Sequence, residues 1–383
     1  MMKIKMVFCL ACIGLAGLVT FADPQIKNVT ARQRFPWNGK VDISYEVVGT
    51  IPTENQPLSI SVWDKTSGQV YTPSSSVLSG DAGAGEGVHN VVWDLSEQGI
   101  KIQSQNVVFT VEECPLYCVV DLSGGPSATS YPVTYSSSNP MLYFTGNNYK
   151  MEWLVLRKIP AGSFIMGSDQ RNESHRVTLT KPFYIGVFEV TQKQWELVMG
   201  SNPSYYKGEM RPVECVYNTI RGSSGGAEWP SSSAVDSDSF LGRLRARTGL
   251  EFDLPTEAQW EYACRAGTTT VYSYGDSADE SYMWYKQSGS SYTTHDVGTT
   301  WGSGNKWGLR DMHGNVWEWC LDWYGTLAYG TDPKGSSSGS GRVLRGGSWS
   351  SSADYCTSSS RINNGPSFGS SYFGFRLART LSN

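Results

Sequence analysis

The chain has 383 residues, which is room for roughly two to three domains. Hydrophobic residues make up 39% and charged residues only 17%, with 41 glycines and 14 tryptophans; this excludes a coiled coil and a disordered chain and describes a loop-rich, aromatic-rich globular protein. A formal net charge of -4 has the wrong sign for a nucleic-acid binder, which needs lysine and arginine against phosphate.

In chain order, Lys3 and Lys5 precede an apolar run from Met6 to Phe21, and Thr20-Phe21-Ala22 offers a small-x-small cleavage site before Asp23. This is the layout of a signal peptide over residues 1–22. The run is short for a membrane span, and no transmembrane segment is expected after it. A secreted or periplasmic mature chain follows. It would keep Cys114, Cys118, Cys215, Cys264, Cys320 and Cys356. Six cysteines leave fifteen full pairings open and are too few for a disulfide scaffold.

Residues 25–113 read as a small all-β sandwich. The clearest strand is Lys40 to Val47, with apolar Val41, Ile43, Tyr45 and Val47 alternating at period two. Residues 114–150, rich in Ser, Pro and Gly, read as a connector lying along one domain, anchored by Tyr131, Leu142, Tyr143 and Phe144.

From Met151 the pattern becomes α+β. Trp153 to Ser168 reads as strand, turn, strand. Thr191 with Gln194 forms a capping-box signature, and Gly200 stops that helix. A second helix is expected from Asp238 to Arg247, closed by Gly249. A third is expected from Thr256, with Gln259 at its N3 position and Gly267 at its end. Beyond residue 268 glycines and aromatics alternate without a period, so loops and short strands held by packed aromatics are expected.

One ordered series of motifs then stands out. It comprises Ile159-Pro160-Ala161-Gly162, Met166-Gly167, Glu189-Val190-Thr191, Arg211-Pro212-Val213 and Leu254 to Ala263. Gly314-Asn315-Val316-Trp317-Glu318-Trp319, Arg345-Gly346-Gly347-Ser348-Trp349 and Phe373-Gly374-Phe375-Arg376 follow. The series resembles the formylglycine-generating enzyme, or sulfatase-modifying factor, family over residues 151–383. The resemblance implies an α+β, C-type-lectin-like fold with little regular secondary structure.

Active members of that family oxidise a sulfatase cysteine to formylglycine with oxygen and one copper ion held by two cysteines. Thiolates suit Cu(I). Matched without gaps, the second ligand falls on Cys356 and the first on Ser351, while the active-site serine falls on Ser348. A serine hydroxyl is a poor Cu(I) ligand, so the pair is broken unless Cys264 or Cys320 takes its place. The resemblance also implies a calcium site, with Asp311 and Glu318 through carboxylates and Gly314 and Val316 through carbonyls. A second calcium site looks lost around Ser281-Tyr282-Met283-Trp284.

The remaining candidates are weaker. His89, His175, His295 and His313 show no close ligand spacing, and no phosphate loop is present. Asp253, Glu257 and Glu261 cluster at a helix start, where Glu257 suits the helix dipole.

Two functions remain. In the first, an altered homologue binds a peptide, protein or glycan at a groove of Trp317, Trp349, Tyr355, Tyr372, Asn363 and Asn364, unless those aromatics are core. The alternative is the copper- and oxygen-dependent oxidase.

Overall fold

A computed structural model describes residues 25–381, apart from 34–38, 49–57, 65–69, 72–77, 81–86, 98–106, 114–115, 137–138, 143–145, 169–172, 224–228, 287–291 and 303. The signal segment and Cys114 lie outside the described residues. The chain divides into two compact units, one ending at Pro115 and one running from Leu116 to Ser382.

The first unit consists of two antiparallel sheets. One orders Gln25–Gln33, Lys40–Val48, Gly87–Asp94 and Leu78–Gly80; the other orders Val70–Tyr71, Leu58–Asp64 and Val107–Glu113. The period-two pattern sets the buried face. Val41, Ile43 and Tyr45 are buried, and they lie opposite Trp93, Val91 and His89 in the partner strand. Cross-strand pairs of this kind are what hold a sheet in register.

The second unit opens with a five-stranded sheet ordered Ala378–Thr380, Phe183–Gly186, Trp153–Ile159, Tyr117–Asp121 and Val133–Ser136. The segment read from sequence as a connector therefore supplies two strands. Cys118, Val120 and Leu122 alternate into the core, a run too short to stand out between its proline- and glycine-rich flanks. Of the expected anchors, Tyr131 is buried, and Arg247 donates to its hydroxyl at 2.7 Å. A second sheet orders Arg361–Asn364, Arg342–Arg345, Trp317–Trp323 and Phe373–Gly374. A third joins Gly162–Met166, His175–Leu179 and Gly330–Thr331.

Three helices longer than a turn pack on these sheets: Gln192–Met199, Phe240–Thr248 and Glu257–Arg265. Thr191 and Thr256 each close a full capping box with Gln194 and Gln259. The second helix starts at Phe240, two residues later than expected, because the Ser239 hydroxyl takes the Gly242 N–H. The third turns out of the helix at Ala266, φ 46°, one residue before the expected glycine. Thr191 also donates its hydroxyl to the Lys150 carbonyl at 2.7 Å. Thr191→Ala is accordingly expected to cost about 1–2 kcal/mol, seen as a lower urea midpoint with an unchanged slope.

Little of this unit is regular structure, yet its interior is ordered by ions as well as by rings. Arg221, Arg342, Arg345 and Arg376 are fully buried. Arg345 and Arg265 hold Glu261, Arg361 holds Glu257 at 2.7 Å through two nitrogens, and Arg221 holds Asp253 at 2.8 Å. Glu257, expected to act only on the helix dipole, is an ion-pair centre as well. Glu257 and Glu261 tie the helix Glu257–Arg265 to the strands Arg361–Asn364 and Arg342–Arg345, and Asp253 ties the segment before that helix to Arg221.

Candidate functional site

The strand Arg342–Arg345 runs into Gly346 and Gly347, both left-handed at φ 94° and 81°. A Cβ on Gly347 would lie 2.4 Å from the Cys356 sulfur, so only glycine lets the chain fold back over that thiol. This turn sets the geometry of Ser348, Ser351 and Cys356. The Ser351 hydroxyl accepts from Ser348 N at 3.1 Å and lies 3.0 Å from the Ser348 hydroxyl. The serine at the first copper position thus closes a local turn.

Cys356 is fully buried against Tyr272 and Met283. Burial pushes its thiol up to about 12, so the thiolate that would bind a soft metal is disfavoured. Cys264 and Cys320 belong to a different cluster, with Trp260 and Met312. The residues present do not fit a two-thiolate copper site. Cys118, Cys215, Cys264, Cys320 and Cys356 are all free thiols.

His313 connects the two clusters through its ring. Nδ1 lies 2.7 Å from the Cys356 carbonyl, which makes it the protonated nitrogen. Nε2 then accepts from Ser273 N at 3.1 Å and the Ser273 hydroxyl at 2.9 Å. Burial pushes its pKa down to about 4. It is a neutral, fully partnered structural histidine.

The residues expected to hold calcium are placed differently. Both oxygens of Glu318 face the Arg376 guanidinium, at 2.6 Å each, and Oε2 also accepts from Trp260 Nε1 at 2.7 Å. Asp311 Oδ2 accepts from Gly298 N, and Oδ1 is buried without a partner. Gly314 donates its N–H to Gly346 O at 2.7 Å, and Val316 is buried. With both Glu318 oxygens held by Arg376, Asp311 Oδ1 is the one unpartnered oxygen of the two expected carboxylate ligands. Among the described residues no three His, Cys, Asp or Glu side chains converge as a metal shell. Glu189, read in the sequence only as part of a family motif, faces the same loop. It accepts from Asn315 Nδ2 at 2.9 Å, and burial, then Asp311 and Glu318, push its pKa well up.

The groove residues separate into two groups. Trp317, 4% exposed, packs in the main core rather than on a surface; its neighbour Phe373 pairs with it across two parallel strands and closes it over. Of the others, Trp349 and Tyr372 form an aromatic row with Tyr206 and Tyr205. Trp349 is 5% exposed and acts as the floor, between Tyr206 at 5.4 Å and Tyr372 at 5.0 Å. Tyr205 continues the row from Tyr206 at 4.9 Å. Tyr205, Tyr355, Phe368 and Tyr372 are exposed by 73%, 53%, 53% and 39%. Asn363 is exposed on the edge strand Arg361–Asn364, and Asn364 is half-buried. Tyr205, Tyr206 and Phe368 were missed in the sequence; two adjacent tyrosines in a Ser/Asn/Pro loop were the only signal.

A family description, sulfatase-modifying factor enzyme 1-like domain, matches residues 150–381. The chain belongs to this family, and its second unit has the α+β, C-type-lectin-like fold. It is 30% identical over 252 residues to the chaperone protein LppX of Paenibacillus barcinonensis, covering 55% of this chain and 83% of that one. It is 36% identical over 145 residues to the formylglycine-generating enzyme of Streptomyces coelicolor, covering 33% of this chain and 46% of that enzyme. It is 32% identical over 249 residues to the serine/threonine-protein kinase pkn1 of Chlamydia caviae, covering 58% of this chain and 37% of the kinase. Among solved structures, Treponema denticola variable protein 1 matches with 32% identity and a TM-score of 0.50, over 59% of this chain and 95% of that one. Among the described residues no helix is long and apolar enough to cross a membrane.

Proposed function

We propose that this chain is an exported binding module whose second unit presents the segment Ser350–Tyr372 and Tyr205 to a polypeptide ligand. The observation that carries the reading is the pairing of two facts on one segment. The copper position is a serine hydrogen-bonded to its own turn, and beyond it Ser352, Tyr355, Asn363, Ser367, Phe368 and Tyr372 are exposed. Nine of the 23 residues from Ser350 to Tyr372 are serine, of which Ser358 and Ser360 are buried, with two tyrosines, two asparagines and two glycines. That is the composition of antibody paratopes, where rigid aromatics supply contact area and small polar residues adapt. The relatives carry the names of a chaperone, a kinase, an enzyme and a variable protein, so the shared domain does not dictate one chemistry. Export rests on the basic and apolar pattern of residues 3–22. We read the loop Asp311–Glu318 as held by Arg376 rather than by calcium.

The mature chain, copper-loaded and washed, should leave a cysteine-containing sulfatase peptide unmodified under oxygen, as read by mass spectrometry. The immobilised chain should select binders from a displayed random-peptide library rather than from a glycan array. Their affinity should fall at least about tenfold in Tyr355→Ala/Tyr372→Ala, as for aromatic hot spots. Aldehyde formation on the sulfatase peptide would overturn the reading, and selective glycan binding would replace the ligand class.

A further inference from the structure

Beside the serine-rich face, residues 210–211, 284–286 and 293–297 come together. Val297 N donates to Met210 O at 2.9 Å and Arg211 Nη1 donates to the Thr293 hydroxyl at 2.6 Å, so residues 293–297 run against 210–211. Two residues past Thr293, the His295 ring lies flat on Trp284, centroids 3.8 Å apart and planes at 9°. Asn315 fixes the His295 backbone on both sides, accepting its N–H at 3.0 Å and donating to its carbonyl at 3.2 Å. Lys286, two residues past Trp284, donates its N–H to Ser351 O at 2.8 Å. The cluster therefore borders the face.

Among the described residues Arg211 pairs with no carboxylate. Trp284 Nε1 and the hydroxyl of fully buried Thr294 are sealed from solvent and have no hydrogen-bond partner. Buried donors left unpaired are costly and rare. An indole N–H and a guanidinium are donors only. Asp296, next to His295 in the chain, lies in the field of both the His295 ring and buried Lys150 but makes no ion pair with Arg211; burial and then Arg211 hold the imidazole below its ordinary pKa. What Arg211 lacks is a carboxylate of its own.

We propose that Arg211 and His295, with the Trp284 indole behind them, form a subsite for a carboxylate, an aspartate or glutamate side chain or a C-terminus of the polypeptide ligand. The planar fork of Arg211 matches a carboxylate through two hydrogen bonds. The inference rests on the polypeptide reading above for the source of the carboxylate. Phosphate shares the acceptor chemistry, so the test separates the two. Because the indole N–H is sealed, a ligand reaches it by displacing a neighbour, and its resonance reports that event.

The full mature chain labelled with 15N-tryptophan gives an indole signal for Trp284, assigned through Trp284→Phe. Titration with N-acetyl-aspartate amide, at constant ionic strength, should move that signal saturably. Arg211→Gln should weaken the midpoint at least about tenfold, and Arg211→Lys, which keeps the charge and loses the fork, should weaken it less. No saturable movement in the folded chain overturns the subsite, as does a response to inorganic phosphate alone or one indifferent to Arg211→Gln. Saturation by the aspartate probe in a chain that binds no displayed peptide keeps the subsite and discards the polypeptide reading.

Discussion

Arg376→Met is expected to lower the unfolding free energy of the second unit by about 3–5 kcal/mol, the usual cost of stripping one partner from a buried ion pair. Arg376 is wholly buried and holds both oxygens of Glu318, itself 1% exposed. It also donates to the carbonyls of Gly186, at 2.9 Å, and of Arg310, at 2.9 Å. The side chain therefore ties the central sheet, the Asp311–Glu318 loop and the last strands together. Without it Glu318 keeps one N–H, from Trp260, and faces Glu189 and Asp311 across a dry interior. For a unit of this size the loss corresponds to a fall of roughly 10 °C in Tm. Calorimetry checks it, and a loss under about 1 kcal/mol would show that the pair is replaceable. The double variant Arg376→Met/Glu318→Gln should recover part of the loss, because no unpaired charge remains. The same series tests the metal question. The unsubstituted chain should keep its Tm in chelator and in millimolar calcium, since the carboxylate is taken. Arg376→Met, with Glu318 freed beside Asp311, is the variant expected to gain stability from calcium by mass action.

That arginine also shows what a sequence can and cannot display. Phe373-Gly374-Phe375-Arg376 was legible as a motif, and the capping signatures at Thr191 and Thr256 were legible as helix starts, because both are local. The three helices lie within two residues of their expected bounds for that reason. The partner of Arg376 is 58 residues away, and no local rule links the two. A calcium reading of Glu318 and an ion-pair reading were both compatible with the same carboxylate. The groove was half legible in the same sense. Trp349 and Tyr372 do meet, but Trp317 sits on a buried strand with the same aromatic chemistry, and only the parallel pairing with Phe373 decides its side. The strands at Tyr117–Asp121 and Val133–Ser136 were missed because four or five residues among prolines and serines carry too little period to register. Arg211, Trp284 and His295 converge from three loops, which periodicity does not reach.

Asp322→Asn is expected to stabilise the chain above neutral pH while leaving it unchanged in acid. Asp322 is buried in the strand Trp317–Trp323, and its Oδ2 accepts the Glu257 N–H at 2.8 Å. Burial and then the Glu257 carboxylate push its pKa up to about 7 from 3.8. A carboxyl raised in the folded state contributes stability that is present below 3.8 and lost as pH rises through 7. Loss of its proton across that window costs up to about 4 kcal/mol. Asparagine has the same shape, accepts the same N–H and has no charge to desolvate. His313 works in the opposite direction. Held at about 4 instead of 6.5, it contributes stability present above 6.5 and lost as pH falls toward 4, about 3 kcal/mol in all. In the unsubstituted chain these two groups nearly cancel between pH 4 and 7. In Asp322→Asn the compensating carboxyl is gone while His313 and the other shifted groups stay, so on acidification from pH 7 to 4 that variant should lose about 4 kcal/mol relative to the unsubstituted chain. Urea unfolding of both chains at half-unit pH steps gives the two curves. They should meet near pH 4 and separate progressively up to pH 8; curves that stay parallel would mean that Asp322 is already ionised in the folded chain and that its desolvation is relieved by a group other than the Glu257 amide.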